Sequence, residues 1–244
     1  MTTTQGAYKG VARCDCFRQA RIQNLIAKAR IPARYEHCEI NNFELRESLT
    51  TQSIEAAKMV AEIFVEEYPQ STPFGLLFMG PQGIGKTHLT VGIIKSLIRR
   101  KAAPCMFRTF PELLKEIQMS WSPVSESSEY TLLAPVLDTE VLVLDELGSL
   151  KPSNWVQEMV NYVLNYRYSE NKVTIFTTNF QDRDDLTTDK KALSGDKLVD
   201  RIGVQMRSRL FEMCKMVEMT GKDFRKEVKQ AQHHHFQRIK KQER

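Results

Sequence analysis

Gly80-Pro81-Gln82-Gly83-Ile84-Gly85-Lys86-Thr87 satisfies G-x-x-x-x-G-K-[ST] at every fixed position. Glycines let backbone N–H groups converge on an anion, and a helix starting at the last of them adds the positive end of its dipole. A lysine at this position reaches the β- and γ-phosphates, and the hydroxyl that follows it can ligate Mg²⁺. The stretch from Gly80 to His88 is therefore expected to bind ATP. A second group of acids, Asp145-Glu146, ends the apolar run Val141-Leu142-Val143-Leu144. Asp145 is placed to hold Mg²⁺ with Thr87. Glu146 is not needed by the metal, so it can orient and deprotonate an attacking water. Two acids in succession argue for hydrolysis rather than transfer to another acceptor. Asn179, closing Val173–Thr178, can hydrogen-bond the γ-phosphate or the water. Arg201, Arg207 and Arg209 share one segment, and charge developing on the γ-phosphoryl group calls for an arginine, commonly from a neighbouring subunit.

The elements that must position these residues alternate. Leu76–Met79 is a short buried strand before the glycine loop, and a helix follows from His88 to Arg100. Met106–Phe110 is a strand and Leu113–Met119 a helix; the Ser- and Glu-rich stretch to Tyr130 reads as an exposed loop. The strand ending at Asp145 is followed by a helix over Trp155–Tyr168, then by Val173–Asn179. A single helix spans Asp196–Met213, with Leu198, Ile202, Met206 and Leu210 at i, i+4, i+8 and i+12, and Lys215–Met219 is a last strand. Upstream lie a basic amphipathic helix over 13–30, a loop from Ile31, and a helix over Thr51–Tyr68 capped by Thr51 or Ser53 and stopped by Pro69. Alternating strands and helices imply a mostly parallel sheet covered on both faces, with ligands at the carboxyl ends of the strands. Gly80–Thr87, Asp145-Glu146 and Asn179 all fall there.

The chain has 244 residues, a hydrophobic fraction of 41% and a net charge of +5. Residues 1–34 carry seven Lys/Arg against Asp15, and residues 221–244 carry eight against three acids, so the centre is acidic. Basic ends suit a polyanion or an acidic partner, or simply solubility. No run is long and apolar enough for a membrane span, and no signal peptide is visible, so a cytoplasmic location is expected. Cys14-Asp15-Cys16 is half of a zinc site; Cys38 and His37 are candidate further ligands, though adjacent residues chelate poorly.

Gly80–Leu89 (GPQGIGKTHL), Val141–Gly148 (VLVLDELG), Thr177-Thr178-Asn179 and Asp200–Arg225 together resemble the bacterial helicase-loader ATPases of the DnaC/DnaI type. These group with the IstB-like transposition ATPases in the AAA+ superfamily, and the likeness covers roughly residues 30–226. The resemblance implies a P-loop fold of AAA+ type with a short basic helical N-terminal arm and no separate helical lid. It divides the chain into an arm and linker (1–50), an ATPase core (51–221) and a basic tail (222–244). It makes Gly80–Thr87 Walker A, Asp145 and Glu146 Walker B, and Asn179 sensor 1. Arg209 falls at the arginine finger. It further implies a spiral or ring homo-oligomer, single-stranded DNA in a central channel with Lys115 and Trp121 as candidate contacts, and a replicative helicase as partner. A transposase is the alternative partner. By the same resemblance, a zinc knuckle would need a second cysteine pair upstream. A small-molecule kinase and a module binding ATP without hydrolysis are the competing classes; Glu146, Asn179 and the arginine segment oppose the first, and Glu146 the second.

Overall fold

The computed structural model describes residues 15–46, 49–70, 74–122, 128–151, 153–182 and 197–229. Cys14, the segment 183–196 and the histidine-bearing stretch 230–244 lie outside them.

Five strands, β1 (Gly75–Met79), β2 (Cys105–Thr109), β3 (Val141–Asp145), β4 (Val173–Thr178) and β5 (Cys214–Glu218), form one sheet in the order β2-β3-β4-β1-β5. Every pairing is parallel, with Met79 beside Thr178 and Thr109 beside Asp145. Parallel strands need covered crossovers, so both faces are buried and the strands read as continuous apolar runs. Successive side chains point to opposite faces. Leu76, Phe78, Val141, Val143 and Ile175 share one core with α2 (Gln52–Glu67) and α3 (Lys86–Lys101). Leu77, Met79, Leu142, Leu144 and Phe176 share the other with α4 (Phe110–Ser120), α5 (Glu129–Asp138) and α6 (Asn154–Ser169), together with the short α7 (Leu198–Ile202) and α8 (Val204–Met213). The expected parallel α/β architecture of P-loop type is what the chain adopts. Among the described residues no helix is long and apolar enough to cross a membrane.

The amino-terminal helix, α1 (Asp15–Lys28), lies at the β2 edge, where the Phe107 amide donates to the Ala29 carbonyl at 2.8 Å. Of the two cap candidates for α2, Thr51 is the one used: its hydroxyl accepts from the Ile54 amide.

Two expectations need correction. The loop expected up to Tyr130 gives way at Glu129 to α5, a helix the sequence reading did not assign. Ser128 caps it by accepting from the Thr131 amide, and Leu133, Val136 and Leu137 are buried. Pro135 inside the helix masks the pattern in the sequence. The far end of α5 is tied down by Arg167, whose guanidinium is fully buried and donates to the carbonyls of Val136, Leu137, Thr139 and Val173. Secondly, the helix expected over 196–213 is two helices. Gly203 adopts φ +83°, a left-handed conformation most residues avoid, and the chain breaks there. Leu198, Ile202, Met206 and Leu210 are all buried regardless, because the break preserves the face.

Candidate functional site

The carboxyl ends of β1, β3 and β4 converge on a cavity of about 730 Å³ lined by Gln82 through His88, Glu146, Thr177 and Asn179. The loop after β1 wraps into α3, whose N-cap is Gly85 with no side-chain cap. Gly85 has no side chain to cap the first amides of α3, which are the donor set an anionic phosphate satisfies. Ile84 plants its side chain in the core and anchors the loop. Lys86 is buried, and its ammonium donates to the carbonyls of Gly80 and Pro81, both at 2.7 Å, and to Asn179 Oδ1 at 2.8 Å. Burial pushes its pKa down to about 8.

Asp145 is 2% exposed, and its carboxylate accepts from the Thr87 hydroxyl at 3.1 Å and from Thr177 at 2.5 Å. Burial raises its pKa despite these bonds, and among the described residues no cation pairs with it. A buried carboxylate beside a hydroxyl is a hard oxygen donor set with unbalanced charge, so the residues fit Mg²⁺. Thr177 does two things: it donates to Asp145 and accepts from the Glu146 amide at 3.0 Å. Glu146 stands at φ +62° with an exposed side chain on the cavity wall. Such a conformation costs on the order of 1–3 kcal/mol in a non-glycine residue and recurs at functional sites. It turns the Glu146 carboxylate out of the strand, next to the buried Asp145.

Walker A, Asp145, Glu146 and Asn179 are thus brought together as the sequence implies. His88 lines the cavity but is committed to the linker: its Nε2 lies 2.9 Å from the Glu39 carbonyl and 3.0 Å from Asn42 Oδ1. Arg209 is not among the residues lining the cavity. It lies half-buried on α8, donating to Asn165 of α6. Arg207 pairs with Asp182 through two bonds, and Arg201 stacks 4.6 Å over the Phe180 ring. Lys115 is exposed on α4 and Trp121 is exposed just after its end, edge-on to Trp155 at 5.3 Å. Of the zinc candidates, Cys38 is buried in the core, and among the described residues no three His, Cys, Asp or Glu converge on a metal position.

The cavity also has walls that sequence reasoning missed. Tyr35, Asn42 and Phe43 come from the segment read as a linker, and Phe224, Arg225 and Val228 from the segment read as a tail. Lys95, buried in α3, holds the first wall by donating to the carbonyls of Glu36 at 2.6 Å and Cys38 at 3.1 Å and pairing with Glu39 at 2.5 Å. The available signal was slight: single aromatic residues, Phe43 and Phe224, in otherwise polar stretches.

Residues 11–232 match the sequence model of the IstB-like ATP binding protein family. The chain is 25% identical over 214 residues to protein YqaM of Bacillus subtilis, covering 83% of this chain and 61% of that protein. It is 24% identical over 182 residues to the replicative helicase loader DnaC of Buchnera aphidicola, covering 75% of this chain and 70% of the loader. A crystal structure of the DnaC helicase loader superposes with a TM-score of 0.64 at 27% identity, over 77% of this chain and 99% of that one. With a uncapped phosphate loop, a buried metal-fitting aspartate and a flanking glutamate at the strand ends, the chain belongs to the IstB-like ATP-binding family and is a P-loop ATPase of AAA+ type.

Proposed function

We propose that this chain is a DNA replication protein that uses ATP hydrolysis to load or remodel a replicative helicase and binds single-stranded DNA. The observation that carries this reading is the convergence of Lys86, Thr87, Glu146 and Asn179 on one cavity, with Asp145 buried behind it, in a chain similar to DnaC loaders. Lys86 exchanges the Gly80 and Pro81 carbonyls for the β- and γ-phosphates of ATP. Thr87 and Asp145 would hold Mg²⁺, which would supply charge neutralisation at the phosphates. Glu146 orients a water and takes its proton as the water attacks the γ-phosphorus, releasing ADP and phosphate. Asn179 hydrogen-bonds the γ-phosphate or that water. Arg209 belongs to the γ-phosphoryl group of a neighbouring subunit in a spiral or ring homo-oligomer. Its position outside its own cavity supports that role in trans.

The basic arm 1–34 engages the helicase or DNA, and Lys115 and Trp121 are the candidate DNA contacts. If the affinity for single-stranded DNA rests on phosphate neutralisation, log K falls by about 0.7 per log unit of salt for each phosphate contacted. An affinity independent of salt would remove DNA from the reading. The family is named for IstB, which favours a transposase as the second reading of the partner. Purification of the chain with ATP and single-stranded DNA, followed by identification of the co-purifying protein, decides between them: a replicative helicase supports the first reading, and a transposase replaces it with the second.

A further inference from the structure

Tyr35 lines the cavity from the stretch between α1 and α2, where it ends the single helical turn Ala33–Tyr35. Its backbone is held on both sides. The Tyr35 amide donates to the Pro32 carbonyl at 2.8 Å, and the Tyr35 carbonyl accepts from the Cys38 amide at 2.9 Å. Its ring is held as well: the Arg34 guanidinium stacks 4.9 Å over it, and the Phe107 ring lies tilted against it at 6.2 Å. Phe107 is buried on β2, and its amide donates to the Ala29 carbonyl, so one residue anchors both ends of the stretch 29–35.

The same contact fixes where Tyr35 stands relative to the acids. Phe107 pairs across the sheet with Val143, two residues before Asp145. Residues two apart on a strand share a face and lie roughly 6–7 Å from each other. Phe107 and Val143 belong to the core under α3, and Asp145 on that face accepts from the Thr87 hydroxyl of α3. Tyr35 thus packs against the side-chain layer next to Asp145, on the face where Thr87 and Asp145 meet. Among the described residues nothing hydrogen-bonds its hydroxyl, whereas its polar neighbours on this wall are engaged. Asn42 accepts from the Glu39 amide at 2.9 Å and donates to the His37 carbonyl at 2.6 Å, and His88 meets the Glu39 carbonyl. Burial raises the pKa of the Tyr35 hydroxyl; the Arg34 guanidinium opposes this, and Asp145 and Glu146 add to it. The phenol therefore stays neutral, an oxygen that can accept a hydrogen bond beside two acids without adding charge.

Mg²⁺ dehydrates reluctantly and keeps several waters besides its protein and phosphate ligands. Water on a dication is a strong hydrogen-bond donor and calls for an acceptor. We propose that the Tyr35 hydroxyl is that acceptor: a positioning group for the metal, supplied by the stretch before α2 rather than by the sheet. This rests on the nucleotide reading of the cavity. Phe107 and Arg34 set the ring, and the hydroxyl orients a water of the Mg²⁺ shell beside Thr87 and Asp145.

The test is titration of the full chain with the non-hydrolysable analogue AMPPCP, once with saturating Mg²⁺ and once in EDTA. Tyr35→Phe keeps the ring against Phe107 and Arg34 and removes only the hydroxyl. Loss of an outer partner weakens metal sites by about 10–100-fold, so AMPPCP affinity with Mg²⁺ should fall about tenfold. Affinity in EDTA should not change, because the hydroxyl meets the metal's water and not the nucleotide. The nucleotide-free melting temperature should not move either, which separates the effect from packing. Unchanged affinity with Mg²⁺ would reduce Tyr35 to a packing ring, and an equal loss with and without Mg²⁺ would assign the hydroxyl to the nucleotide itself; both outcomes overturn the proposal. A wild-type chain that binds AMPPCP under neither condition overturns the reading of the cavity.

Discussion

The floor of the cavity and its walls are built on different principles. The floor consists of Lys86, Thr87, Asp145, Glu146 and Asn179, each at the end of a buried parallel strand or the start of α3. Their positions follow from a rigid sheet whose register fixes Thr109 beside Asp145 and Met79 beside Thr178. The walls, 33–46 and 222–228, carry only single helical turns, at Ala33–Tyr35 and from Arg225, and are joined to the floor by few contacts: Lys95 and His88 of α3 on one side, the Phe224 amide on the Gly83 carbonyl on the other. Chemistry sits where the fold tolerates least movement, and grip on the ligand sits where movement is cheap.

The sharpest way to break this comparison is Lys86→Ala. Among the described residues no other cation hydrogen-bonds the Gly80 and Pro81 carbonyls, so ATP binding should fall below detection in a direct titration. Retained binding would shift the grip from floor to walls. Glu146→Gln should leave that binding intact and cut turnover by roughly 10²–10⁴, as expected when a positioned base is lost. A variant hydrolysing at the wild-type rate would move the base elsewhere. Arg209→Ala should spare nucleotide binding and lower turnover by about 10³. Mixing it with Lys86→Ala should restore some activity, since an intact Arg209 then meets an intact phosphate loop. Mixtures that stay inactive, with specific activity independent of concentration, would mean that Arg209 does not act between subunits.

Smaller effects sharpen the same contrast. The folded, nucleotide-free chain holds the Lys86 pKa at about 8, against 10.5 as its ordinary value. Between these values the unfolded chain binds the proton that the folded chain has shed, so stability rises with pH and is lost as pH falls through about 8. Relative to Lys86→Met, urea unfolding should show a gain of roughly 1 kcal/mol per pH unit in that window. A flat difference would mean the ammonium is better solvated than its burial implies. On the wall side, Lys95→Met leaves the Glu36 and Cys38 carbonyls without this donor and leaves the Glu39 carboxylate to Arg99, at a cost of about 1–3 kcal/mol. It should weaken nucleotide binding while leaving turnover at saturating ATP unchanged; a fall in saturated turnover would show that floor and wall are not separable.

The same contrast explains what was legible in the sequence. The phosphate loop and the Asp145-Glu146 pair are contiguous strings whose spacing is set by the ligand, and the strands feeding them are apolar on both faces. The walls are assembled from residues nearly two hundred positions apart, joined by contacts such as Phe224 to Gly83 that leave no periodic trace. Pro135 concealed α5, and Gly203 split a helix whose apolar spacing looked continuous. A role for Arg209 came only with the family resemblance, for another reason: an arginine's sequence neighbours do not say which phosphate, or which subunit, it faces.

The order β2-β3-β4-β1-β5 has a consequence for how the chain is made. The strand that carries the phosphate loop is finished at Met79, yet its two hydrogen-bonding neighbours, Val173–Thr178 and Cys214–Glu218, are nearly the last to be synthesised. At roughly 5–20 residues per second, Gly75–Met79 waits on the order of 5–20 s on the ribosome for its first partner. During that interval an apolar strand with two open edges is exposed beside unfinished chain, and non-local parallel pairing is slow to form. The nascent protein is thus a natural client for a chaperone until residue 178 has emerged, and its nucleotide pocket cannot close until the segment after β5 follows.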